Sequence, residues 1–156
     1  MSRVSLRRAD PSDIAAVARL SRRVRLICLP YLPDLHTPEE DVAFFRERVF
    51  PESDIWLAMS GGQLIGFAAA KPDWLDHLYV DPGWHGKGVG SALLAKVRDG
   101  RTELNLWTFQ RNVQARRFYE RQGFRLVALT DGSGNEERCP DAHYRWLREA
   151  IRQDRR

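Results

Sequence analysis

The chain has little lysine, little cysteine and no long apolar run. Of the 25 basic side chains in its 156 residues, only Lys71, Lys87 and Lys96 are lysines. The rest are arginines, spread along the chain (Arg7, Arg8, Arg22, Arg23, Arg25, Arg116, Arg117, Arg121) and interleaved with 21 acids. A nucleic-acid binder concentrates its positive charge on one face. A net charge of +4 distributed in this way fits solvated helix faces and some attraction for a small anion, so no nucleic-acid partner is expected. The two cysteines, Cys28 and Cys139, form no CxxC pair, which excludes a disulfide framework. The opening MSRVSLRRADPSD has no apolar signal-type core. The expectation is therefore a cytoplasmic protein with reduced thiols. No run approaches the ~18 apolar residues that span a bilayer, so no membrane partner is expected. No His/Cys cluster has ligand spacing, so no metal is expected. There is no repeat, low-complexity stretch or linker, and 156 residues is a one-domain length, so residues 1–156 are read as a single domain.

What is present alternates between helical and extended patterns. Val4 to Ala9 reads as a short strand. Asp10 is a candidate N-cap for the helix that follows, with Pro11 at its start and Ile14, Val17, Leu20 and Val24 at helical spacing. The proline-rich CLPYLPDLHTP ends that helix, and Thr37 caps a second one, PEEDVAFFRERVF. DIWLAMS and QLIGFAAAK flank Gly61–Gly62, a strong hairpin signal. WLDHLYV, from Trp74 to Val80, is a third apolar run. A glycine-rich loop and a helix from Gly88 to Arg98 follow. TELNLWTF is a strand, NVQARRFYERQGF a helix stopped by Gly123, and FRLVALT and AHYRWLR are strands around DGSGNEERCPD. The order β-α-α-β-β-β-α-β-α-β-β implies an α/β (α+β) fold. We expect a central mixed, mostly antiparallel twisted sheet of about seven strands flanked by about four helices.

The loop GWHGKGVGSALL, from Gly83 to Leu94, stands where a strand ends and a helix begins. The first N–H groups of a helix lack intrahelical partners and carry partial positive charge, so such a terminus receives phosphate well. Glycines at 86, 88 and 90 leave the backbone bare. Two familiar phosphate loops fail on spacing. A Walker loop begun at Gly83 puts Val89 where lysine belongs, and a GxGxxG fingerprint begun at Gly86 puts Ser91 where the last glycine belongs.

LYVDPGWHGKGVGSALL resembles the acetyl-coenzyme A loop of the GCN5-related N-acetyltransferases (GNAT), written Gln/Arg-x-x-Gly-x-Gly/Ala. Those positions are His85, Gly86, Lys87, Gly88, Val89 and Gly90, with histidine replacing the usual Gln or Arg. A second segment strengthens the resemblance. The family's Asn-x-x-Ala-x-x-Phe-Tyr-x-x-x-Gly-Phe matches Asn112, Ala115, Phe118, Tyr119, Gly123 and Phe124. The order of elements agrees with the family, although the first fifty residues share little else with it.

The resemblance implies acetyl-CoA as cofactor and acetyl transfer from the thioester to a primary amine by direct attack in a ternary complex. A catalytically silent coenzyme A sensor of the same fold is the alternative. Backbone groups of Leu78, Tyr79 and Val80 would line the pantetheine and face the carbonyl oxygen. His85 to Ser91 would hold the pyrophosphate; Lys87 either contacts a phosphate or is a solvated loop lysine. Asn112 and Ala115 would flank the pantetheine arm. Tyr119 would protonate the leaving thiolate; without the motif it reads as a tyrosine filling a helix–sheet interface. The base stays open between Asp76, expected on the same strand face as Leu78 if pairing is regular, one of Glu136 and Glu137, and water. The acceptor is read as a small cationic amine or a peptide N-terminus. Tyr31, Asp76, Glu136 and Glu137 would contact it within an acidic mouth that also draws on Asp34, His36, Glu39 to Asp41 and Asp141. The alternative for Glu39 to Asp41 is helix capping. Family members often pair, so a homodimer remains open.

Overall fold

The computed structural model describes residues 3–149. Strand β1 (Val4–Arg8) leads through a 3-10 turn, capped by Asp10, into α1 (Ile14–Cys28). An irregular arm follows, and then α2 (Pro38–Phe44), whose Thr37 and Glu40 form a reciprocal capping box. The second helix is not the uniform one its sequence suggests. It passes through a π-helical turn (Phe45–Val49) into a short α3 (Phe50–Glu52). Pro51 lies just beyond the wide turn, and a proline ring would clash with the carbonyl four residues back in a regular helix.

Strands β2 (Asp54–Ser60), β3 (Gln63–Ala70) and β4 (Leu75–Val80) then form a meander with β1. The glycine loop opens α4 (Val89–Arg98), β5 (Glu103–Phe109) follows, and Asn112 caps α5 (Val113–Arg121). Strands β6 (Arg125–Leu129) and β7 (Asp141–Leu147) complete the chain.

All seven expected strands form, but they are hydrogen-bonded as two antiparallel sheets. One has the order β1-β2-β3-β4 and the other β5-β7-β6. The sheets meet at a single parallel bridge, Trp74 to Asn105. Beyond it β4 and β5 run side by side without a ladder. Sequence patterning reports which face of a strand is apolar, not which neighbour it bonds, so this break is invisible in the chain.

Two apolar cores lie on opposite faces. On one, Leu93, Leu94 and Val97 of α4 pack with Leu104 and Leu106 of β5 and Tyr144 of β7. On the other, Val17, Leu20 and Val24 of α1 pack with Ile55, Leu57, Phe67 and the π-turn residue Phe45. The unpaired seam between β4 and β5 is sandwiched between these layers.

Candidate active site

The seam opens into a cleft of about 420 Å³. Its walls are β4, the glycine loop, the start of α4, β5 and one face of α5. The start of α4 is unusual within this chain. Asp10, Thr37 and Asn112 cap their helices with side chains, whereas Gly88 caps α4 with none. The first intrahelical bond runs from Ala92 N–H to Gly88 O. The N–H groups of Val89, Gly90 and Ser91 are therefore left for another acceptor. Gly86 and Gly88 have φ of 74° and 82°, a region that side chains rarely adopt. This backbone turns its donors toward the cleft and suits a pyrophosphate.

His85 does not point at that anion site. Its Nε2–H donates to Val80 O at 2.8 Å, pinning the loop to the end of β4. Lys87 Nζ lies 5.2 Å over the ring of Trp84.

The open edge of β4 follows from alternation. Asp81 N–H donates to Ile65 O at 2.8 Å, and the Tyr79 carbonyl lies against Gly66 on β3. The backbone groups of Leu78 and Val80 must then face the seam. His85 takes the Val80 carbonyl, leaving the Leu78 groups and Val80 N–H for a ligand.

Regular pairing, on which the placement of Asp76 depended, does not hold. Leu75 pairs with Ala70 and His77 with Ala69, so Asp76 is the extra residue of a β-bulge. Its carboxylate turns to Lys71 Nζ at 3.3 Å. His77 and Tyr79 lie on the α1 face. His77 is packed among Phe44, Phe45, Phe67 and Tyr79. Burial pushes its pKa down to about 4, and Nδ1 has no hydrogen-bond partner.

Tyr119 reaches the cleft wall from α5, with its ring between Phe118 and Phe124. Burial, with Tyr79 nearby, raises its pKa, so the phenol keeps its proton across the physiological range. Asn112 Oδ1 accepts from Ala115 N–H at 3.2 Å, and both residues line the same cleft.

The expected acidic mouth is largely spent on internal pairs. Asp34 and Asp41 bind Arg22, and both lie 3.7 Å from Arg25 Nη2. Glu40 completes the α2 capping box, and Asp141 bonds Thr130 and Asn135. Glu136 reaches across from the β6–β7 loop to His36 Nε2 at 2.8 Å. Glu137 is half-buried and has no ion-pair partner among the described residues. Tyr31 lies under the Arg111 guanidinium at 4.1 Å, its hydroxyl buried without a partner.

Comparison with known proteins agrees with this geometry. A family model described as an acetyltransferase (GNAT) domain matches residues 51–126. A probable N-acetyltransferase of Mycobacterium tuberculosis is 30% identical over 149 residues, covering 83% of this chain and 84% of that protein. The chain belongs to the GNAT family. The uncharacterized N-acetyltransferase YafP of Escherichia coli is 33% identical over 87 residues, 56% of this chain. Those residues are 55% of YafP, so the match spans about half of that relative. The structure of YncA from Salmonella typhimurium, solved with its cofactor acetyl-CoA, superposes with a TM-score of 0.73 at 20% identity, covering 99% of both chains.

Within this GNAT fold, sequence reasoning missed two groups beside the cleft. His77, which regular pairing would turn to the face opposite Leu78, lines the cleft beside the bulge. Trp107 was read only as part of a strand, yet it lines the cleft and is 49% exposed. The available signal was the alternation in TELNLWTF, which puts Trp107 on the face opposite Leu104 and Leu106.

Proposed function

We propose that the protein is an acetyl-CoA-dependent N-acetyltransferase acting on a primary amine, either a small cationic amine or a peptide N-terminus. The observation that carries this reading is the uncapped start of α4, wrapped by Gly86 and Gly88, opening onto a split sheet with Tyr119 in its wall. The residues fit the cofactor: free N–H donors meet the pyrophosphate, and the free edge of β4 meets the amide-bearing arm. Bound acetyl-CoA supplies the activated acetyl thioester.

Val89, Gly90 and Ser91 N–H groups hold the diphosphate, and Lys87 adds positive charge beside it. Leu78 and Val80 would hold the cofactor's arm along the free edge of β4, and their unpaired backbone N–H groups would stabilise developing negative charge on the acyl oxygen, most strongly where water is excluded. Transfer forms a C–N bond and breaks the C–S bond. Tyr119 gives its phenolic proton to the departing sulfur. The amine's proton leaves to water, to Asp76 or to Glu137.

The test is free-thiol release by purified protein with acetyl-CoA and a panel of amines. Release that depends on the amine, with the acetylated amine recovered, is expected. Cofactor binding without release on any amine would favour the silent sensor, and absence of binding would overturn the reading.

A further inference from the structure

Three of the protein's five tryptophans carry a protein cation over the ring. Arg8 and Lys96 lie 4.8 and 5.0 Å from Trp56, Lys87 5.2 Å from Trp84, and Arg98 and Arg148 5.1 and 5.2 Å from Trp146. Trp74 and Trp107 have no such cation among the described residues, and these two stand where the sheet splits.

Trp107 faces His143 across the β5–β7 ladder, and their rings are 5.1 Å apart. Trp74, at the bridge ahead of β4, stacks on His143 at 5.3 Å and on Trp107 at 6.4 Å, within 20° and 17° of parallel. A buried hub fixes this arrangement. Asn105 Oδ1 accepts from His143 Nε2 at 2.8 Å and from Arg145 Nε at 3.0 Å, and its Nδ2 donates to Asp73 O at 3.1 Å. The rings are thus placed before any ligand arrives. Leu104 and Leu106 of β5 enter the α4 core, so Trp107 projects from the opposite face, the one that carries His77 and Tyr79 on β4.

The local charge favours a cation. Burial and Arg145 lower the His143 pKa, so that ring is neutral at neutral pH. Arg145 lies 3.7 Å from Glu103. Asp73, next to Trp74, is exposed and has no ion-pair partner among the described residues.

We propose that Trp74, Trp107 and His143 form a shelf that binds a second cationic group of the acceptor, at the end opposite the amine that is acetylated. The acceptor is then a molecule with a primary amine at one end and an ammonium or guanidinium several bonds away. This rests on the transferase reading above and narrows it. An indole face is the strongest cation–π partner among the side chains, and its contribution here corresponds to about a tenfold preference.

The test compares 1,5-diaminopentane with n-pentylamine, which share a chain and differ in the distal charge. Steady-state kinetics with acetyl-CoA are paired with calorimetric titration of each amine into coenzyme A-loaded protein. The expected result is about a tenfold preference for the diamine, expressed in KM and in binding rather than in kcat. Trp107→Leu abolishes that preference and Trp107→Tyr retains part of it. Equal binding of the two amines, a preference that survives Trp107→Leu, or a still better fit of 2-phenylethylamine would overturn the shelf. Calorimetry decides this even without turnover, whereas absence of thiol release with every amine counts against the transferase reading alone.

Discussion

At one end of the cleft, Val89, Gly90 and Ser91 hold out backbone N–H groups that no side chain caps. In the arm between α1 and α2, Arg22, Asp34 and Asp41 lock an irregular segment through side chains, and Glu136 ties a distant loop to it through His36. The first region uses groups that every residue has, and its sequence requirement is the absence of side chains. The second uses pairs that meet only after folding. A backbone site tolerates drift in its surroundings and keeps one ligand chemistry. A side-chain site can be rewired one residue at a time.

The sharpest way to separate the two regions is Tyr119→Phe. It removes a proton donor and little volume, so kcat should fall about a hundredfold while coenzyme A affinity measured by calorimetry stays within about twofold. Next is Asp41→Ala, which takes the more buried of two carboxylates from a partly buried Arg22. Stability should fall by about 2 kcal/mol in urea unfolding, and acceptor KM should rise with coenzyme A binding unchanged. Equal damage to both ligands would break the distinction between the regions.

The remaining effects are pH-dependent and opposite in sign. Folded His77 takes up its proton only near pH 4, against an ordinary value of 6.5. The unfolded chain binds that proton first, so stability is full above pH 6.5 and declines as pH falls toward 4, by at most about 3 kcal/mol. His36 is raised above 6.5 by its hydrogen bond to Glu136. Its contribution is fully present below 6.5 and fades as pH rises through the folded value. Melting curves across pH check both. His77→Phe should flatten the acid decline, and Glu136→Gln should lower the melting temperature slightly below pH 6.5 and scarcely at alkaline pH.

The same contrast explains what could be read from the chain. Gly86, Gly88 and Asn112 act through backbone geometry and capping, which are local and leave fixed spacings. The caps at Asp10 and Thr37 were legible for the same reason. The split between β4 and β5 was not, because apolar runs do not name their bonding partner. The bulge at Asp76 was hidden because one extra residue leaves the pattern of WLDHLYV unchanged while redirecting a carboxylate to Lys71. The acids of the arm looked like a mouth for a cation because Arg22 and Arg25 lie in another element. Trp74, Trp107 and His143 come from three separate segments, and only the fold brings them together.

The most direct test of the central claim is an amide nitrogen–proton spectrum of the labelled protein, recorded before and after coenzyme A is added. The account predicts the largest shifts at Gly86 to Ser91, with a second set at Leu78 and Val80 on the free edge of β4. Shifts confined to other elements, or none at saturating coenzyme A, would contradict it.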